Sequence, residues 1–319
     1  MERVLITGVT GFAGSHLAEF VLENGFGEVF GTVRGKTADL SNLSKVMDKV
    51  KLFECDLADP YAVQSIVSEI EPDRIFHIAG QAFVPSSWRS PYETYHTNLF
   101  GSMNVFEAAR KCKTNPVIQI AGSSEQYGMV YPEETPISED NPFRPLSPYA
   151  VSKCAMDLMG YQYFKTYGLK VIRTRAFNHE GPRRGEVYVT SNWCKQMALI
   201  EKGKQSPEVK VGNLESFRDF TDVRDMVRAY WLATEKGKPG EAYVIASGKK
   251  MQMKELLNLI LSKSKVKAKV VQDPSRMRPS DVPLLVGDST KFRSQTGWKP
   301  EIPFDQTMQD LLDFWRERV

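Results

Sequence analysis

The sequence predicts an α/β protein, a doubly wound parallel sheet with a smaller, interleaved C-terminal α/β lobe, and three observations predict it. Short β-branched runs alternate with longer helical patterns through the first half, as repeated strand-helix-strand units require. A glycine-rich turn joins the first strand to the first helix. After Arg175 the pattern changes to a Pro- and Gly-rich loop (Gly181-Pro182-Arg183-Arg184-Gly185) followed by shorter elements.

Strands are expected near 3–7, 28–33, 51–54, 74–78, 117–121 and 170–175, with helices in the gaps. Within 92–112, Tyr95, Leu99, Met103, Phe106 and Ala109 recur at helical spacing, which predicts a crossover helix with that face on the sheet. A late strand at 241–246 is expected to return to the parallel sheet. The expected division is therefore 1–176 for the sheet domain, joined by that returning strand, and 177–319 for a mainly substrate-binding lobe. No internal repeat, low-complexity tract or long linker interrupts the chain.

With 319 residues and 41% hydrophobic content the chain can bury a substantial core. Its net charge of +3 comes from 42 basic and 39 acidic residues mixed along the sequence, so no footprint for nucleic acid or an anionic membrane is expected. Cys55, Cys112, Cys154 and Cys194 form no Cys-x-x-Cys pair and have no histidine spaced for a metal. They read as free thiols of a reducing compartment, and no metal site is expected. Met1-Glu2-Arg3 runs straight into the apolar strand Val4-Leu5-Ile6, and no apolar run approaches the roughly 20 residues of a membrane span. The cytoplasm is the expected location.

Gly8-Val9-Thr10-Gly11-Phe12-Ala13-Gly14 follows the first strand and opens an amphipathic helix through Leu17, Phe20 and Val21. The first glycine permits a tight turn, the second lets the backbone approach a pyrophosphate, and the third packs helix on strand. The phosphate then sits at the helix N-terminus. A glycine pattern alone also fits a tight strand-to-helix turn with no ligand. The flanking strand, helix and strand-helix-strand order make this a Rossmann-type dinucleotide loop, with Gly8, Thr10, Gly11, Phe12, Ala13 and Gly14 as the expected contacts. Its Gly-x-x-Gly-x-x-Gly spacing differs from the Gly-x-Gly-x-x-Gly of lactate-dehydrogenase-type proteins.

After the second strand, where an acidic residue would hold the adenosine ribose, the sequence reads Gly31-Thr32-Val33-Arg34. A guanidinium there suits a 2′-phosphate, so NADP(H) is expected, with NAD(H) as the alternative. The competing reading makes Arg34 a solvated loop residue. Asp56 and Leu57, after the third strand, are placed to meet the adenine.

Pro148-Tyr149-Ala150-Val151-Ser152-Lys153 puts a phenol and an ammonium four residues apart, one turn apart on a helix face. A nearby cation favours the phenolate, so Lys153 is expected to lower the pKa of Tyr149 and make it an acid/base catalyst. Ser123, in Ala121-Gly122-Ser123-Ser124-Glu125 after another strand, can hydrogen-bond the substrate oxygen that Tyr149 protonates or deprotonates. With the glycine loop, these segments resemble the short-chain dehydrogenase/reductase superfamily in its extended form. His77-Ile78-Ala79-Gly80-Gln81, Thr97-Asn98-Leu99-Phe100-Gly101 and Arg218-Asp219-Phe220 resemble that family's landmarks over the full length. The resemblance implies cofactor contacts at Ala79, Gly80, Gln81 and Asn98 besides Tyr149 and Lys153. It also implies a homodimer through helices near 92–112 and 148–167.

Phe177 to Glu186 (Phe-Asn-His-Glu-Gly-Pro-Arg-Arg-Gly-Glu), Val211-Gly212-Asn213-Leu214 and Arg278-Pro279-Ser280-Asp281-Val282 resemble the GDP-mannose 4,6-dehydratases. That likeness implies a GDP-sugar, with Arg278 on its pyrophosphate, Asp281 on a ribose, Arg218 as a second phosphate contact, and Ser87, Asn178 and Thr190 as further substrate contacts. Glu125 fits the same reading, because a 4,6-dehydratase must take the C5 proton and protonate the departing C6 hydroxyl. A plain structural role for Glu125 fits the sequence equally.

Other segments point to a neighbouring group. The dehydratases carry Thr where this chain has Ser123, Lys where it has Asn192, Arg-Asp-Trp-Gly where it has Arg218-Asp219-Phe220-Thr221, and a longer loop after the second strand. Gln272 to Arg278 and Thr296-Gly297-Trp298-Lys299-Pro300-Glu301-Ile302 resemble the GDP-6-deoxy-D-mannose reductases, which deliver hydride from NADPH to the 4-keto carbon. The reductase is the leading reading and the dehydratase, or both activities in one chain, the alternative. A nucleotide-sugar 4-epimerase and a non-catalytic dinucleotide-binding module stand behind them. Intact Ser123, Tyr149 and Lys153 oppose the last.

Overall fold

The computed structural model describes residues 1–35, 37–277 and 282–319. In chain order the elements of the first part are β1 (Glu2–Thr7), α1 (Phe12–Glu23), β2 (Gly27–Val33), β3 (Val50–Glu54), α2 (Pro60–Ile70), β4 (Arg74–His77), α3 (Val84–Arg89), α4 (Pro91–Tyr95), α5 (Gly101–Arg110), β5 (Val117–Ala121), α6 (Pro148–Tyr167) and β6 (Lys170–Ala176). There follow β7 (Asn178–Glu180), α7 (Val189–Glu201), β8 (Glu208–Val211), β9 (Phe217–Asp222), α8 (Val223–Lys236), β10 (Ala242–Ile245), β11 (Lys250–Gln252), α9 (Met253–Ser262), β12 (Lys269–Gln272), β13 (Leu284–Leu285), α10 (Thr290–Thr296) and α11 (Phe304–Arg318).

Seven parallel strands form the main sheet in the order β10-β6-β5-β4-β1-β2-β3. Near-continuous apolar strands such as Val4, Leu5 and Ile6 are buried on both faces, as a covered parallel sheet requires. One face packs on α1, α8 and α10 through Leu17, Val21, Met226, Tyr230 and Phe292, and the other on α2, α5 and α6 through Val63, Val67, Phe106, Met156 and Tyr163. Each expected strand of the first half forms within two residues of its expected ends. The second lobe carries the β11-β9-β13 sheet, with β7 also paired to β9, and the β12-β8 pair. Its own core joins α7, α9 and α11 through Trp193, Met197, Leu256 and Leu311. Because β10, α8 and α10 return to the first sheet, the lobes interleave along the chain.

The ends of α6 follow from local chemistry. Ser147 caps it by accepting from Ala150 N at 3.1 Å, Pro148 occupies the first turn, and Gly168, at φ +70°, ends it with an N–H bonded to Phe164 O.

The crossover helix departs from its expected orientation. Between α4 and α5 lies a π-helical turn, His96–Phe100, and the buried stripe runs through Thr94, Asn98, Ser102, Val105 and Ala109. Phe106 and Ala109 are buried as expected, but Tyr95, Leu99 and Met103 stay half-exposed. The π turn rotates the face. Polar residues occupy the inner side because they bond to the site above: Ser102 to His77, and Asn98 to Gln81 and Ser152.

Candidate active site

The sheet order reverses between β1 and β4, and a crevice opens at their carboxyl ends. Gly8 makes the first turn at φ +68°, where its O accepts from Gly11 N at 3.0 Å. A Cβ on Gly8 would stand 3.0 Å from Ala79 Cα, and one on Gly14 would run into Gly8 O. So the first glycine also lets β1 approach the end of β4, and the third seats α1 on the turn. Gly11, the N-cap of α1, has no side chain to cap with, which leaves the first N–H groups of the helix to an anion. The Thr7 hydroxyl accepts from Ile78 N and Ala79 N at 3.1 and 3.2 Å, tying the two strand ends together.

A cavity of about 820 Å³ runs from this loop across to the second lobe. Gly8, Thr10, Gly11, Phe12, Ala13, Gly14, Asp56, Leu57, Ala79, Gly80 and Gln81 all line it. Arg34 stands at its rim, 73% exposed, with Nη1 3.9 Å from the Glu93 carboxylate. The rim guanidinium is therefore only loosely held by protein.

Ser123, Glu125, Tyr149 and Lys153 line the same cavity. Ser123 caps a short 3-10 turn, Ser124–Gln126, with its Oγ accepting from Glu125 N at 3.2 Å and its N donating to Gln126 Oε1 at 2.7 Å. It shares the cavity wall with the Tyr149 phenol. The first turns of α6 bring Tyr149 and Lys153 into the crevice. Below them Asn98 donates to Gln81 O (3.0 Å) and Ser152 Oγ (2.9 Å), and Ser152 donates to Tyr149 O at 2.7 Å.

The electrostatics of this pair differ from expectation. Burial raises the pKa of Tyr149, with the Ser123 side chain opposing it, and burial lowers that of Lys153 to about 8. Lys153 Nζ donates to Ala121 O at 2.8 Å and lies 5.9 Å from the centre of the Tyr149 ring. Desolvation outweighs the cation expected to favour phenolate, and the phenol keeps its proton.

The second lobe contributes Asn178, His179, Arg183, Arg184, Gly185 and Tyr188. The Arg184 guanidinium carbon lies 3.6 Å from the ring centre of Tyr188 and 5.0 Å from that of Phe12, with Nε 3.5 Å from Glu180. His179 stacks on Phe12 at 5.9 Å, and burial followed by the charge of Arg184 lowers its pKa to about 4. The imidazole is neutral.

Four sequence-selected residues lie off the cavity. Asn98 supports Gln81 and Ser152 from beneath. Ser87 is fully buried and donates to Val84 O at 2.7 Å. Thr190, also fully buried, donates to Glu180 at 2.5 Å. Arg218 is buried on β9 and donates to Phe217 O and Val282 O at 2.8 and 2.7 Å. In each case the polar group serves internal hydrogen bonding. Arg278 and Asp281 lie outside the described residues. Conversely, His179, Arg184 and Tyr188 are not singled out by the sequence, although two arginines directly after Gly181-Pro182 are an available signal for an anion site. Among the described residues no group of His, Cys, Asp and Glu is placed to hold a metal, and no helix is long and apolar enough to cross a membrane.

A Gly-x-x-Gly-x-x-Gly loop at the switch point of a parallel sheet, facing Ser123, Tyr149 and Lys153, defines an extended short-chain dehydrogenase/reductase. The chain belongs to the GDP-mannose 4,6 dehydratase family, whose model matches residues 5–311. It is 31% identical over 318 residues to the GDP-6-deoxy-D-mannose reductase of Pseudomonas aeruginosa, covering 100% of this chain and 98% of that protein. It is 34% identical over 326 residues to GDP-mannose 4,6 dehydratase 1 of Arabidopsis thaliana, covering 97% and 88%. Among solved structures, RMD from Pseudomonas aeruginosa complexed with NADPH aligns with a TM-score of 0.86 at 30% identity, covering 100% of both chains. The UDP-glucose 4-epimerase of Thermus thermophilus in complex with NAD aligns at 0.88 and 30%, covering 99% and 100%.

Proposed function

We propose that this chain binds NADP(H) and reduces GDP-4-keto-6-deoxy-D-mannose to GDP-6-deoxy-D-mannose (GDP-D-rhamnose). The observation that carries the reading is the gathering of Ser123, Tyr149 and Lys153 on the wall of the cavity that the glycine loop opens. The cavity fits a dinucleotide: its phosphate cradle is built from positions where a Cβ would collide, with a helix N-terminus and the rim cation Arg34 beside it. The length match to the reductase, 98% of that protein, supports this reading, and the 34% identity to the Arabidopsis dehydratase supports the alternative equally.

When bound, the dinucleotide supplies hydride chemistry. Ser123 and Tyr149 hold the C4 carbonyl oxygen between two hydroxyl donors. As C4 gains a hydride, the oxygen takes the phenolic proton of Tyr149, which burial keeps on the phenol until that moment. Lys153 then stands as the cation nearest in sequence to the phenolate left behind. Arg184, with its guanidinium on aromatic faces and its Nε toward a buried carboxylate, offers its remaining donors to phosphate oxygens.

A second reading, the 4,6-dehydratase, is favoured by Glu125, a carboxylate on the same cavity two residues from Ser123. It would take the C5 proton and return one to the C6 hydroxyl, which leaves as water. Incubation with GDP-mannose, with and without NADPH, separates the two. Inertness toward GDP-mannose with NADPH consumption on the 4-keto-6-deoxy sugar is the expected result. Formation of that keto sugar without added reductant would overturn it in favour of the dehydratase.

The free cysteines suit a cytoplasmic enzyme. The outward apolar residues of α4, the π turn and α6, including Tyr92 at 78% and Leu158 at 59% exposure, support a homodimer. Light scattering at twice the 36.1 kDa chain mass is expected, and a monomer would remove that part.

A further inference from the structure

Arg183 has a backbone φ of +73°, a left-handed conformation that a side chain other than glycine's rarely adopts. The turn sends two consecutive arginines apart. Arg184 lies on Phe12 and Tyr188 in the cavity. Arg183 reaches the flank of α1, where its side chain is 10% exposed and its Nη1 and Nη2 bond the two oxygens of Glu19 at 2.8 and 2.7 Å. Nη1 also donates to Asn42 O at 2.8 Å, and the Asn42 side chain donates to Thr10 O at 2.9 Å inside the glycine loop.

His16 completes the contact. Burial, then the charge of Arg183, lowers its pKa to about 3, so the ring is neutral and has one donor and one acceptor. Nε2 donates to Pro182 O at 2.9 Å, which leaves Nδ1 to accept from Arg183 Nη2 at 2.7 Å. Phe12, His16 and Glu19 fall on one face of α1 and receive, in turn, His179 and Arg184, Pro182, and Arg183.

We propose that Arg183 is a positioning residue, a latch that fixes the 179–184 segment of the second lobe to the first turns of the glycine-loop helix. Its guanidinium is taken up by Glu19, Asn42 O and His16, although Arg183 also lines the cavity. Through it the two sides of the cavity hold one geometry, so each ligand binds better once the other side is set. The inference rests on the dinucleotide reading of the glycine loop.

The test compares the wild-type chain with Arg183→Met, Glu19→Gln and the paired Arg183→Met/Glu19→Leu variant, which leaves no buried charge unpaired. NADPH binding is followed by fluorescence, folding by thermal melting, and the loop by amide exchange over 181–188. The dinucleotide Kd is expected to rise by about tenfold in all three, and to stay raised in the paired variant even where its Tm returns to the wild-type value. Faster exchange over 181–188 should accompany it. A paired variant with restored Tm and a wild-type Kd would make Arg183 a structural ion pair only and overturn the latch. If wild-type protein binds no dinucleotide, the reading of the cavity fails, and the exchange arm alone decides the latch: unchanged exchange in the variants overturns it.

Discussion

The two sides of the cavity are made in different ways. On the side of β1, α1 and β4 the site is backbone: Gly8 at positive φ, Gly14 seated on Gly8 O, and helix N–H groups that no side chain caps. Across from it the site is side chain: Ser123, Tyr149, Lys153, His179 and Arg184, gathered from three stretches of chain and tuned by burial. A backbone site tolerates almost no added atoms, whereas a side-chain site keeps its shape and loses its chemistry when one group is removed. Substitutions on the two sides should therefore fail differently.

The largest effect is expected on the side-chain side. Tyr149→Phe removes the proton donor and keeps the ring, so turnover should fall on the order of 10³-fold, as for loss of a general acid. The dinucleotide Kd should stay within about a factor of two of wild type. Steady-state kinetics with a fluorescence titration reads both. Turnover surviving the substitution would remove Tyr149 from the chemistry.

Gly14→Ala tests the other side with a smaller but broader effect. The added Cβ meets Gly8 O, a backbone atom that cannot move without opening the turn. A loss of about 1–3 kcal/mol of stability is expected, the usual cost of overpacking, together with weakened dinucleotide binding. If the variant melted and bound NADPH like wild type, the turn would be looser than its geometry implies, and the contrast between the two sides would collapse.

The same contrast explains what the sequence reveals. A backbone site needs particular residues at fixed spacing within one segment, so the glycine loop is legible from Gly8, Gly11 and Gly14 set between a strand and a helix. The strands are legible because burial on both faces demands β-branched runs. Side-chain sites depend on which polar groups the fold has already used, and that is not written locally. Ser87, Thr190 and Arg218 have the right chemistry for a substrate contact, but the two hydroxyls donate to Val84 O and Glu180, and Arg218 Nη1 donates to Val282 O. Arg183 and Arg184 both line the cavity, but the Arg183 guanidinium is bound to Glu19 while that of Arg184 lies on Phe12 and Tyr188, a division that two adjacent arginines do not announce. The crossover helix differs in part from its expected orientation for a related reason: Asn98 and Ser102 brace the site on its inner face, which leaves Tyr95, Leu99 and Met103 half-exposed.

The smallest expected effect concerns pH and separates charge from folding on the side-chain side. Burial lowers the Lys153 pKa to about 8, so its ammonium is lost from the folded protein as pH rises through that value. If the charge supports the phenolate formed on proton transfer, kcat should fall to about half near pH 8 and decline further above it. Lys153→Met should be slow and flat over the same range. Stability runs the opposite way. The unfolded chain holds this proton up to 10.5 while the folded chain releases it near 8, so between those values the unfolded state binds more protons and the Lys153 contribution to stability rises with pH. A decline in rate across pH 8 with an undiminished Tm would thus belong to the ammonium itself. A flat wild-type profile would mean that Lys153 acts through its hydrogen bond to Ala121 O and not through its charge.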